Sequence, residues 1–175
     1  RSRGLGDVYK RQARIPEALF GLTMPLLRDT EISLPEGRQQ ARNSLRKFLE
    51  KAQRPPPGTH SYAVKIMLRH EGRQERLWVG DLEGPLQRKP KRNEKLFGHL
   101  LNLPEVIREL NFGDRVAFEK DDIEDWTYID KDGRYAGNFT GCALVAARGD
   151  EGFVSFIERH RLDCRWLSII QPVAN

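Results

Sequence analysis

The chain has 175 residues, 38% of them hydrophobic and 31% charged, enough for one soluble domain with a real core. No uninterrupted apolar run approaches the roughly 20 residues that a membrane-spanning helix needs. Its net charge of +5 and pI near 9.4 would ordinarily point to an acidic partner.

The first residues weaken that inference. SRGLGDVYKRQ, residues 2–12, resembles the in-frame translation of a transposase adapter used to prepare sequencing libraries, so residues 1–12 are set aside as an artefact. They carry three of the five net positive charges, and the remaining +2 is no argument for nucleic acid. Residues 13–35 read as an irregular, truncated lead-in. Within it ALFGLTMPLL is short, is broken by Pro25 and lacks a clean basic flank and a small-residue cleavage site, so it is not read as a signal peptide. A single domain is expected over 36–175.

From Pro35 to Ala52, Ala41, Leu45, Phe48, Leu49 and Ala52 recur at three- and four-residue spacing among basic residues, which predicts an amphipathic helix. The prolines of RPPPG at 54–58 end it. SYAVKIMLR alternates Tyr62, Val64, Ile66 and Leu68 with Ala63, Lys65, Met67 and Arg69, predicting a strand. ERLWVGDL returns as the second arm of a hairpin around Gly72. The basic run 88–95 contains proline and no aromatic residue and reads as a loop, with nucleic-acid binding as the minor alternative. LFGHLLN is extended, and Pro104 to Leu110 is expected to form a helical turn or two. A strand carries Val116 and Phe118. DWTYIDKDGRYAGNFT reads as strand, turn, strand, with Asp130, Asp132 and Gly133 in the turn. A last helix is expected from about Asp150, with Phe153, Phe156 and Ile157 on one face, and Trp166, Ile169 and Ile170 are expected to pack the tail against the body.

The acidic stretch 121–140 has only a fragment of a calcium loop. The four histidines lack partners at ligand spacing, and no phosphate loop or nucleophile elbow occurs. Neither a metal site nor a cofactor is expected. Cys142 and Cys164 could form one bridge at most and are read as reduced thiols in a cytoplasmic protein. Asp125 has two open readings: a structural acceptor at a corner beside Trp126, or a general base in a cleft.

Those residues carry a family resemblance. SYAVKIML, ERLWVGDL, GHLLNLP, FGDRVAFEKDDIEDWTYID and AGNFT resemble a bacterial family of unknown function, the one numbered 2314, over about residues 29–147. The motif positions are Trp78, Gly98, Asn102, Pro104, Gly113, Asp114, Val116, Ile123, Asp125, Trp126, Tyr128, Gly137 and Thr140. The family often has Gly-Gly-Tyr-Thr and a basic residue two positions on. Here Gly137-Asn138-Phe139-Thr140 is followed by Gly141 and Cys142, which weakens any claim to an anion site. The run 88–95 reads as an insertion before GHLLN. The resemblance implies a fold and a family, with no activity to carry over.

Together these readings predict an α+β domain: a curved antiparallel sheet of about five strands, with a partly open small barrel as the alternative closure, packed by an N-terminal and a C-terminal helix. The leading functional expectation is a non-catalytic module, accessory or immunity-like, that binds a protein or small-molecule partner. Its candidate binding residues are Trp78, Asn102, Asp125, Trp126, Tyr128 and Thr140, framed by Gly98, Pro104, Gly113, Asp114, Gly133 and Gly137. The alternative is a small hydrolase or transferase using Asp125 with Asn102 and Thr140, which requires those three side chains to converge in a pocket.

Overall fold

The computed structural model describes residues 34–86, 95–147 and 153–167. The expectations for residues 1–33, for most of the basic loop 88–95, for an Asp150 cap and for Ile169 and Ile170 lie outside them. The amphipathic segment forms α1 (Leu34–Gln53). Glu36 in its first turn and Lys51 in its last complement the helix dipole. Its final backbone bond runs from Arg54 N to Glu50 O, where the proline run takes over.

β1 (His60–His70) and β2 (Arg73–Glu83) pair from His70↔Arg73 to Ala63↔Gly80. Between them Glu71 and Gly72 both have positive φ, 47° and 77°, the two-residue turn whose twist suits a hairpin. β3 (Leu96–Leu100), β4 (Arg115–Phe118), β5 (Ile123–Ile129) and β6 (Tyr135–Gly137) complete an antiparallel sheet in the order β4-β3-β2-β1-β5-β6. The sheet has six strands where about five were expected. It is open, with β4 and β6 at its ends, so the described residues do not close a barrel. Lys95 pairs with Glu119 at 2.8 Å beside this edge.

Two further differences have local causes. Residues 104–110 form turns with no helix, because the Glu75 carboxylate gathers the amides of Glu105, Val106 and Ile107. The strand expected through AGNFT stops at Gly137, and α2 (Phe139–Ala147) begins at once. The last described helix is α3 (Phe153–Arg159).

The strand alternation splits the core in two. On one face Val64, Ile66, Leu77, Val79, Trp126 and Tyr128 meet Ala41, Phe48 and Leu49 of α1. Fully burying a Phe or Leu side chain there is worth about 1.5–3 kcal/mol. On the other face Ala63, Trp78, Leu101 and Ile129 meet Cys142 of α2 and Leu162 and Cys164 of the C-terminal strap, residues 160–167. Tyr135 N donates to Arg161 O and Asp163 N to Tyr135 O, both at 2.9 Å, so the strap adds one parallel bridge beside β6. Cys142 and Cys164 form a disulfide. This corrects the expectation of reduced thiols: a separation of 22 residues carries no local signal, and only α2 and the strap bring the pair together.

Candidate functional site

A β-bulge creates the most unusual feature of the sheet. Ile66 pairs with Ile123 but Lys65 pairs with Asp125, so β5 carries Glu124 as an extra residue. Lys65 also pairs with Trp78 on β2. Trp78, Lys65 and Asp125 therefore form one cross-strand row on the second face of the sheet. The Lys65 ammonium lies 5.2 Å from the centre of the Trp78 ring, within cation–π range.

Asp125 is wholly buried, with Lys65 at 4% exposure and Thr140 at 3%. Its Oδ1 accepts from Trp126 N at 2.8 Å and Phe139 N at 3.1 Å. Its Oδ2 accepts from Thr140 N at 2.7 Å and Thr140 Oγ1 at 2.6 Å. Lys65 Nζ donates to Thr140 Oγ1 at 2.9 Å. Burial pushes the Asp125 carboxyl up, while the Lys65 charge and the Thr140 and Trp126 donors pull it down. Burial pushes the Lys65 ammonium down against the opposing pull of Asp125. The geometry favours the charged pair, because three backbone amides donate to the Asp125 carboxylate and the Lys65 ammonium donates to the Thr140 hydroxyl that bonds it.

In an open cleft, a hydroxyl held between a lysine and a carboxylate would resemble an activated nucleophile. Here the cluster is sealed, and its bonds point to construction. Asp125 takes the first two amides of α2, the unsatisfied donors at the positive end of a helix, and so fastens that helix to the sheet. Gly137 makes this junction passable: its φ is +81°, and a Cβ there would sit 2.3 Å from Trp126 O.

The other predicted residues divide by location. Trp126 and Tyr128 face α1, where Trp126 stacks on Phe48 at 4.9 Å and Tyr128 on Tyr62 at 5.0 Å. Trp126 Nε1 donates to Ala41 O at 3.1 Å and Lys51 Nζ to Tyr128 OH at 2.9 Å. Both rings are 8% exposed, so they offer packing and no open surface. Asn102 Oδ1 accepts from Trp78 N at 2.8 Å and does not join Asp125 and Thr140. Of the three residues required for catalysis, two converge and the third does not.

Asn102 instead belongs to a second construction, the loop joining β3 to β4. Asn102 extends the pairing of β3 with β2, next to the Leu101 N bond to Trp78 O at 2.8 Å. Gly98 lets the strands close up, since a Cβ there would meet Val79 Cγ1 at 2.5 Å. Pro104 is buried. The Glu75 carboxylate, itself 5% exposed, accepts from Glu105 N at 2.7 Å and from Val106 N and Ile107 N at 3.0 Å. Asp114 Oδ2 accepts from Asn111 N at 2.7 Å beside Gly113, and Arg73 holds Glu109 at 2.7 Å. On this fastened backbone Leu103, Val106 and Phe112 are 64%, 40% and 46% exposed. Sequence reasoning did not single out Lys65, Glu75 or these three apolar residues. A lone lysine inside SYAVKIMLR was the one available hint.

A separate cleft of about 610 Å³ opens between the β5–β6 turn and the strap, with Asp132, Arg134, Ile157, Asp163, Cys164 and Arg165 in its lining. Asp130 closes the turn by accepting from Asp132 N and Arg134 N at 2.9 Å, with Gly133 in the turn as expected. The Arg165 hydrogen bond holds the Asp163 carboxyl below its usual range. None of the six candidate binding residues lines this cleft. Among the described residues no group of three or more His, Cys, Asp or Glu side chains could hold a metal ion, and no helix is long and apolar enough to cross a membrane.

The chain is 27% identical over 113 residues to the uncharacterized protein YegJ of Escherichia coli (strain K12), covering 65% of this chain and 68% of that one. No solved structure matches. The family model described as "Uncharacterized protein conserved in bacteria (DUF2314)" matches residues 31–160, the span that holds the sheet, the Asp125 cluster and the loop from Asn102 to Asp114, and the chain belongs to that family.

Proposed function

We propose that this domain is a non-catalytic interaction module that binds a protein partner through the β3–β4 loop. One observation carries the reading: the large apolar side chains exposed among the described residues, Leu103, Val106 and Phe112, all fall on a loop whose backbone is fastened from beneath by Glu75, Asn102 and Asp114. Single exposed apolar residues are ordinary, but three on one hydrogen-bonded loop support a contact surface. A pre-ordered loop also loses little entropy on binding. The loop runs into β4, the terminal strand of the sheet, whose outer edge can take an extended partner segment. The fitting partner is thus a protein segment with apolar side chains.

The hydrolase or transferase reading has no comparable support, since Asp125 and Thr140 are sealed and Asn102 is engaged elsewhere. The disulfide supports work in an oxidising compartment in place of the cytoplasm. A photoreactive side chain placed at position 103 or 112 in the producing bacterium should give discrete protein adducts that one at exposed Lys47 does not. Equal adducts from all three positions would remove the reading.

A further inference from the structure

The disulfide joins two elements fastened to very different degrees. On one side is α2, whose N-terminus is held by the Asp125 carboxylate through three hydrogen bonds and whose Cys142 is completely buried. On the other side is the strap. Among the described residues, its other contacts with the sheet and α2 include the two backbone bonds to Tyr135, an Arg161 bond to Asp132 O at 2.7 Å, the buried side chain of Leu162 and the packing of Trp166 and Leu167, while backbone bonds such as Leu162 N to Ile157 O tie it to α3. The hairpin it covers, by contrast, is paired at eight positions from Ala63↔Gly80 to His70↔Arg73.

Access to the two sulfurs is equally uneven. Both cysteines belong to the core with Ala63, Trp78 and Leu101, but Cys142 is wholly buried whereas Cys164 keeps 7% exposure and lines the 610 Å³ cleft, next to Asp163 and Arg165. A reagent that reaches this disulfide reaches it from the Cys164 side. We propose that the Cys142–Cys164 disulfide is a redox latch, opened through this cleft by a dithiol, which releases the strap from the second face of the sheet while the sheet itself stays folded.

The step balances with the dithiol as the reductant. One thiolate of the dithiol attacks Cys164 Sγ, a sulfur–sulfur bond forms between them, and the Cys142–Cys164 bond breaks with Cys142 leaving as a thiolate that takes up a proton. The second thiol of the donor, as its thiolate, then attacks the donor sulfur of the mixed disulfide and expels Cys164. The donor leaves as its own disulfide, and two electrons have passed to the cysteine pair. Removing the cross-link restores chain entropy to a loop of 22 residues. The remaining strap contacts then open more often, by roughly two orders of magnitude. Opening uncovers the Trp78 side of the core, which in the oxidised state is closed to a partner.

The test is hydrogen exchange read by mass spectrometry on the full chain, oxidised and after treatment with dithiothreitol, with the double variant Cys142→Ala/Cys164→Ala as the permanently open form. The latch predicts that the folded protein is reduced without denaturant. It also predicts that exchange of the Tyr135 and Asp163 amides, which bond across the strap and β6, rises by about a hundredfold while β1 and β2 stay protected. Three results overturn it: a disulfide that resists dithiothreitol until the protein unfolds, strap exchange unchanged on reduction, or loss of strap and sheet protection together. The last would make the bridge a simple structural cross-link. If the double variant fails to fold, reduction of the wild-type chain still decides among these outcomes.

Discussion

Replacing Asp125 by alanine tests the reading of the enclosed polar cluster as the fastening between α2 and the sheet. The substitution removes the acceptor of Trp126 N, Phe139 N, Thr140 N and Thr140 Oγ1 and leaves the Lys65 ammonium in the core with only Thr140 Oγ1 to bond. Removing one member of a buried charge pair costs about 3–5 kcal/mol, and each buried donor left without an acceptor adds to that. The expected loss is therefore at least about 4 kcal/mol, which lowers the melting temperature of a chain this size by roughly 8–16 °C. Urea denaturation followed by circular dichroism gives the free energy, and a double-mutant cycle with Lys65→Met gives the coupling. The double variant should lose less than the sum of the singles, by about 1–3 kcal/mol, because Lys65→Met removes the stranded charge. A loss below about 1 kcal/mol for Asp125→Ala, or a cycle that closes additively, refutes the argument.

Three other outcomes follow from the same geometry. Gly137→Ala must accept φ +81° with its Cβ against Trp126 O, and should cost more than about 2 kcal/mol in urea at unchanged m-value. A wild-type midpoint would show that this junction yields easily. Glu75→Ala strips the acceptor from three loop amides, so exchange at 105–107 should rise and partner cross-linking fall although Leu103, Val106 and Phe112 are untouched. Unchanged exchange would mean that Glu75 does not order the loop. Burial pushes the Tyr135 phenol up to about 12 from its ordinary 10.0. The fold thus favours the neutral form, and this contribution to stability is whole below pH 10 and is lost as pH climbs from there towards 12. Absorbance titration should find one late tyrosine that Tyr135→Phe abolishes, and uniform titration near 10 would contradict the burial.

What was legible in the sequence is what depends on local periodicity. Ala41, Leu45, Phe48, Leu49 and Ala52 at three- and four-residue spacing announced α1, and alternation in SYAVKIMLR announced β1. The Asp-Lys-Asp-Gly turn followed from its residue types. The rest is set by contacts distant in the chain. FTGCALVAA is apolar on every side, so it has no face to betray a helix, and its start is imposed by a carboxylate 14 residues earlier. The extended reading of 138–140 failed for that reason. Pro104 to Leu110 looked like a helix start until Glu75, about 30 residues away, claimed its amides. The candidate site was legible only as a list of motif residues. That list mixed three environments, namely the enclosed Asp125 cluster, the aromatic stack under α1 and the frame of the β3–β4 loop, and only the fold separates them.

The most direct test of the account is a comparison of the wild-type domain with the double variant Leu103→Ser/Phe112→Ser, each immobilised and challenged with lysate of the producing bacterium. Thermal melts establish that both are folded. Quantitative mass spectrometry should find at least one protein held by the wild type and depleted about tenfold or more on the variant. The same proteins in the same amounts on both would contradict the assignment of this loop as the binding surface.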